Sequence, residues 1–127
     1  LEAKNELTKQ EFQNFMESYK FGFKTIQKKI CFHIIKRIYS RCKRNYYFKD
    51  IKACYNKMII VEGNHRYIAY LLAGIEFSII ESSSNNSDNP LEYSNLAIDF
   101  DNDWDVHLYK NRRFIFDGEW LEEFKRK

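Results

Sequence analysis

Between Glu76 and Asp105 the chain carries no lysine or arginine, and between Lys20 and Lys52 its only acidic residue is Asp50. The first gap leaves eight carboxylates without a local counter-charge, and the second leaves eleven cationic side chains. The charges are thus segregated along the chain. Such segregation suits a polyanion partner on one face, or else two blocks that neutralise each other across the fold. The cysteines, Cys31, Cys42 and Cys54, are odd in number, form no CxxC pair and match no zinc spacing. They read as free thiols or packing residues rather than a disulfide framework. No apolar run is long enough to cross a bilayer, so no membrane partner is expected. The opening Leu1-Glu2-Ala3-Lys4 shows neither an initiator methionine nor the apolar core of a signal peptide. It reads as a piece cut from a longer protein or a processed product. No internal repeat is visible.

What is present is a core. A hydrophobic share of 44% and an aromatic share of 17% in 127 residues suit one folded domain, since disordered chains are poor in such residues. Thr8-Lys9-Gln10-Glu11 has the form of a capping box, followed by Phe12, Phe15, Met16 and Tyr19 at helical spacing and by Gly22 as a stop. A second helix is predicted over 24–43, with an apolar face of Ile26, Ile30, Ile34, Ile35, Ile38, Tyr39 and Cys42. Its other face carries Lys36, Arg37, Arg41, Lys43 and then Arg44. From Tyr46 the period changes. Residues 48–54 and 58–61 read as hairpin strands around Tyr55-Asn56-Lys57, where Asn56 tolerates a left-handed backbone. Tyr67, Ile68, Leu71 and Leu72 mark a helix closed by Gly74, and a strand follows at 76–80. Residues 81–90, ESSSNNSDNP, form a loop by composition. Leu96, Ile98 and Phe100 alternate as a strand. A last hairpin is expected at 106–116, and a short helix with Trp120 and Phe124. The expected fold is α+β: a helical basic segment 1–45, a small mixed-sheet core 46–80, the loop 81–90, and C-terminal strands with a short helix over 91–127.

The chemistry concentrates at Gly63-Asn64-His65-Arg66, where an apolar strand passes straight into a helix. A helix start leaves its first N–H groups unpaired and carries about half a positive charge, which favours an anion. Gly63 lets the backbone approach a ligand, His65 offers a proton-transfer group near neutral pH, and Arg66 offers a fork that matches phosphate. Glu62 is the carboxylate beside them, able to orient a base or simply to pair with Arg66. The structural alternative makes Asn64 an N-cap and the rest an ordinary first turn.

Val61-Glu62-Gly63-Asn64-His65-Arg66-Tyr67, then Ala69-Tyr70 and Leu72-Ala73-Gly74-Ile75, resembles the second conserved box of the ParB/sulfiredoxin superfamily. The resemblance covers about residues 46–80. Sulfiredoxins place a cysteine in this turn, and Asn64 stands there in this chain, which argues against their repair chemistry. ParB proteins bind CTP and clamp DNA with a further helix-turn-helix domain, for which these 127 residues leave no room. Related domains are free serine kinases, or nuclease-type modules at the tips of bacterial polymorphic toxins. The resemblance therefore implies a toxin or effector domain, secreted within a larger protein and acting in a target bacterium's cytoplasm. Its partners would be RNA or DNA and a cognate immunity protein with an acidic surface. Within it, Gly63, Asn64 and Arg66 would bind phosphate, with His65, Arg66 and Glu62 as the catalytic group. The basic residues Lys36, Arg37, Arg41, Lys43 and Arg44 would hold the polyanion. The alternative is a nucleotide-dependent kinase or an ATP- or CTP-binding switch, and a third reading is a plain interaction module. No metal ligands are assigned; Mg²⁺ or a nucleotide is the cofactor that such phosphoryl chemistry uses.

Three further groups are weighed against bland readings. Asp99 to Asp105 fails as an EF-hand, because Trp104 stands at the glycine position and Lys110 at the glutamate position. A loose divalent site from Asp101, Asp103 and His107 is set against a solvated acidic loop. His33 reads as a packed or rim histidine. The run Arg44-Asn45-Tyr46-Tyr47-Phe48-Lys49 mixes rings with charge as single-strand binders do, although core packing explains much of it.

Overall fold

Thr8 opens the first helix as its sequence demands. In the computed structural model, which describes residues 6–44, 49–84 and 89–105, α1 spans Lys9–Ser18. Thr8 Oγ1 accepts from the Glu11 amide at 3.1 Å, and Glu11 Oε1 accepts from the Thr8 amide at 3.0 Å. Two of the helix's orphan donors are satisfied reciprocally in this way. The helix buries Phe12 and Met16. It ends at Ser18 with Tyr19 extended, so Gly22 lies in the connection beyond rather than at the cap.

The helix predicted over 24–43 is shorter. Residues Lys29–Cys31 form strand β1, and α2 runs only over Phe32–Lys43. Ile26 and Ile30 fit a helical face, but two long-range pairings claim their segment. Thr25 exchanges backbone bonds with Leu91 at 3.0 and 2.6 Å. Strand β1 runs parallel to β5, Ala97–Asp99, with Ile30 opposite Ile98. Tertiary pairing overrides the local period here.

The second sheet has three strands in the order β3-β2-β4. Strands β2, Ile51–Cys54, and β3, Ile59–Glu62, are antiparallel with an irregularity between Lys52 and Ala53. Strand β4, Ile79–Glu81, lies parallel to β2 on its other side. In the hairpin turn the left-handed residue is Met58, with φ +52°, and not Asn56. Met58 O accepts from the Lys24 amide at 2.8 Å, which fixes the backbone there from outside the hairpin. Helix α3, Asn64–Ala73, connects β3 to β4 and closes on Gly74 in the left-handed conformation, as expected. A 3-10 turn at Tyr93–Asn95 leads into β5.

The result is a small mixed α+β domain. Ile35 of α2, Ile51 and Ile60 of the sheet, and Ile68 and Tyr70 of α3 are among its fully buried side chains. Each contributes about 1.5–3 kcal/mol by leaving water. The three cysteines are buried and free, in agreement with the packing reading. No helix among the described residues is long and apolar enough to cross a membrane. Residues 46–48, the hairpin expected at 106–116, and the helix of Trp120 and Phe124 lie outside the described residues.

Candidate functional site: an arginine-lined cleft at the start of helix α3

Strand β3 is buried at Ile59 and Ile60 but exposed at Val61 and Glu62, so it surfaces just before the turn. Gly63 then takes φ +99°, a backbone that side chains with a Cβ rarely adopt. The Tyr67 amide is the first to bond back into α3, to Gly63 O at 2.8 Å. The first turn has no side-chain cap and no acidic residue. The amides of Asn64, His65 and Arg66 thus form the donor end of the helix.

These residues line a cleft of about 400 Å³ whose facing wall is α2. Gly63, Asn64, His65 and Arg66 stand on one side, with Val61. From α2 come Ile34 and Ile38, one turn apart, and beside them Arg37 and Arg41, also one turn apart. The helix therefore offers the cleft one apolar row and one cationic row. Among the described residues Gln27 and Asp105 complete the lining. Such a volume lies in the range of small-molecule sites.

Arg66 packs directly on the glycine turn. A Cβ built on Gly63 would stand 2.8 Å from Arg66 Nη2 and 3.1 Å from its Cζ. Arg66 Nη2 donates to Asp50 O at 3.3 Å and sits 3.8 Å from Glu62 Oε2. That carboxylate is half exposed and also pairs with Lys52 at 3.7 Å. Pairs of this kind hold a guanidinium only weakly. Arg66 Nε is buried with no hydrogen-bond partner among the described residues. The guanidinium is neither turned into bulk water nor sealed by its carboxylate.

His65 has a different role from the one its sequence position suggests. Its Nε2 accepts from the Cys31 backbone N–H at 3.0 Å, across the end of β1. An amide is always a donor, so in the neutral ring the proton sits on Nδ1. Burial lowers the pKa from 6.5 to about 4, with Asp105 opposing part of that fall. At neutral pH His65 is an uncharged tether with one N–H to offer, not a group that titrates there. The Trp104 ring meets it edge-on at 5.6 Å. Asn64 Oδ1 accepts from the Tyr93 hydroxyl at 2.5 Å, which anchors the turn to the core.

The basic row on α2 is not uniformly exposed. Arg37 and Arg41 are only 8% and 5% exposed and look into the cleft. Lys36 pairs with Glu6 at 3.2 Å, Lys43 is exposed with its ammonium 5.6 Å over the Tyr39 ring, and Arg44 ends the helix half buried. The five thus differ in exposure, with Arg37 and Arg41 recessed and Lys43 on the surface. The two charge blocks do meet, through Arg37–Asp103 at 2.6 Å and Lys24–Glu92 at 3.4 Å.

The acidic turn is engaged by its own donors. Asp99 accepts from the amides of Asp101 and Asn102, each at 3.0 Å, and from Trp104 Nε1 at 2.9 Å. The Trp104 bond is the largest of the contacts that push its pKa well below the carboxylate range. Asp103 is held low chiefly by its hydrogen bonds from Arg37. Among the described residues no group of three or more His, Cys, Asp or Glu is placed to hold a metal, and His107 lies outside them. His33 is a rim histidine whose Nε2 meets Phe100 O at 2.9 Å.

Of the residues that line the cleft, sequence reasoning singled out Gly63 to Arg66, Arg37 and Arg41 as site candidates, but not Ile34, Ile38, Gln27 or Asp105. The paired i,i+4 rows at 34/38 and 37/41 were the available signal for the α2 wall. Nothing in the sequence links Tyr93 to Asn64. No protein-family model matches the chain, and no curated protein or solved structure does either.

Proposed function

We propose that the cleft binds a phosphate group of a nucleotide or nucleic acid, gripped by Arg66, Arg41 and the first amides of α3. The observation that carries this reading is that Arg37, Arg41 and Arg66 line one cleft together with the first residues of α3, with Asp105 the one lining carboxylate among the described residues. Arginine forks match phosphate oxygens in pairs, and aligned amides add a further positive potential. The apolar row of Ile34 and Ile38 suits a ligand with a non-polar portion, such as a nucleoside.

Of the two activities that the superfamily resemblance implies, the recessed arginines support nucleotide binding, as a switch or kinase, over cleavage along a polynucleotide. Arg37 and Arg41 are recessed, 8% and 5% exposed, so they reach a ligand that enters the cleft rather than a strand lying across the surface. His65 is tied through Nε2 and uncharged at neutral pH, a weak position for general acid–base work. The nuclease-type toxin domain, with its immunity partner and its delivery within a larger secreted protein, is the second reading. Glu62, exposed at the rim beside Arg66, is the carboxylate it would use.

The two separate in one set of assays. Under the first reading ATP, CTP or pyrophosphate raises the melting temperature, and Arg66→Ala weakens binding by roughly 10- to 150-fold, the equivalent of one charge-assisted hydrogen bond. RNA and plasmid stay intact with or without Mg²⁺. Cleavage that disappears in Arg66→Ala and Glu62→Gln supports the second reading instead. A protein indifferent to all of these ligands has no such site.

A further inference from the structure

One guanidinium of the cleft is already held by a carboxylate. Arg37 Nη1 and Nη2 donate to Asp103 Oδ2 and Oδ1 at 2.6 and 2.9 Å, two parallel bonds in the fork geometry that a phosphate also takes. The pair is largely buried, with side chains 10% and 20% exposed. Asp103 belongs to a turn that is fixed independently of Arg37. Asp99 gathers the amides and indole described above, and Asp103 Oδ1 also accepts from the Asp105 amide at 3.1 Å. The turn thus presents a ready-made monoanion to an arginine that lines the ligand cleft.

We propose that Asp103 is a specificity-determining residue: it withholds Arg37 from singly charged phosphodiesters and yields it to a doubly charged phosphate, a terminal phosphomonoester or a pyrophosphate. The proposal rests on the phosphate-binding reading above. Exchanging one bidentate monoanion for another on Arg37 gains no charge, and it leaves Asp103 in a part-buried position without its partner. A dianion brings a second charge that Arg41, Arg66 and the α3 amides can meet, and the carboxylate has no equivalent. Interior phosphates of a nucleic acid carry one charge each, so the cleft favours free nucleotides and chain ends.

The test is calorimetric titration of the whole chain with pyrophosphate and with dimethyl phosphate, before and after Asp103→Asn. The native chain binds pyrophosphate about tenfold or more tighter than dimethyl phosphate, beyond the effect of charge at a site without the carboxylate. Asp103→Asn narrows that ratio by strengthening dimethyl phosphate. An unchanged ratio, or a parallel loss of both ligands, overturns the proposal and leaves Asp103 as a residue that merely positions Arg37. Binding of neither ligand to either protein defeats the underlying phosphate reading instead. Should Asp103→Asn fail to fold, the joint variant Arg37→Met with Asp103→Leu replaces the pair by apolar groups. It is expected to bring pyrophosphate down toward dimethyl phosphate, and retention of the native ratio refutes the role of the pair.

Discussion

Replacing Gly63 by alanine probes both the turn and the guanidinium packed on it. With φ at +99°, the backbone there penalises any L side chain, by about 1–2 kcal/mol. The added Cβ would also meet Arg66 Nη2 at 2.8 Å, Ile51 Cδ1 at 3.0 Å and Arg66 Cζ at 3.1 Å. Forcing a methyl into such space costs about 1–3 kcal/mol. The sum, about 2–5 kcal/mol, is a large part of the ~5–15 kcal/mol that holds a domain folded. Gly74 is the control, because it too has positive φ, +71°, yet nothing lies within 4 Å of its Cβ position. Gly74→Ala should lose only the backbone part, about 1–2 kcal/mol. Urea titrations at unchanged m-value give both losses. The decisive comparison repeats Gly63→Ala on top of Arg66→Ala, where two of the three close contacts are gone. A coupling of about 1–2 kcal/mol between the two positions is expected. Equal losses from Gly63→Ala with and without Arg66→Ala refute the packing of the guanidinium on the turn.

Other consequences are equally measurable. Because the folded pKa of His65 lies near 4, below its ordinary 6.5, its contribution is complete above about pH 6.5 and is lost as the pH falls toward 4. The loss totals about 3 kcal/mol. His65→Gln should flatten that slope in urea midpoints taken between pH 7 and 4.5, and a slope identical to the native one contradicts the buried neutral ring. Thr8→Ala removes one side of the capping box and should destabilise the domain by about 1 kcal/mol, read by the same titration; no change means that α1 is held by packing alone. Arg66→Lys keeps the charge but not the fork, so pyrophosphate affinity should fall nearly as far as in Arg66→Ala. Full retention in the lysine variant rules out a paired contact.

Local features were legible in the sequence, and features made by distant partners were not. The capping box at Thr8 and Glu11 and the glycines at 63 and 74 are demands of the backbone on its neighbours, and each stands where it was expected. Strand β1 was missed because Ile26 and Ile30 satisfy a helical period, while the partner that makes Lys29–Cys31 a strand lies at Ala97–Asp99. Met58 displaced Asn56 as the left-handed residue because Lys24, far back in the chain, claims its carbonyl. The α2 arginines illustrate the same limit at the candidate site. Their alternation with isoleucines announced two faces, but only Asp103 and the opposing α3 turn decide that the cationic row looks inward. His65 was read as a titrating group from its identity and place, and the amide of Cys31, 34 residues earlier, sets its tautomer instead.

The central claim is that anionic oxygens dock at the first turn of α3. Titrating the ¹⁵N-labelled protein with pyrophosphate tests it at the atoms concerned. The account predicts saturating shifts of the Asn64, His65 and Arg66 amides and of the Arg66 side-chain N–H, with the amide shifts in Arg66→Ala needing roughly 10- to 150-fold more ligand to saturate. Shifts confined to exposed lysines such as Lys43, or none at the α3 start, contradict it.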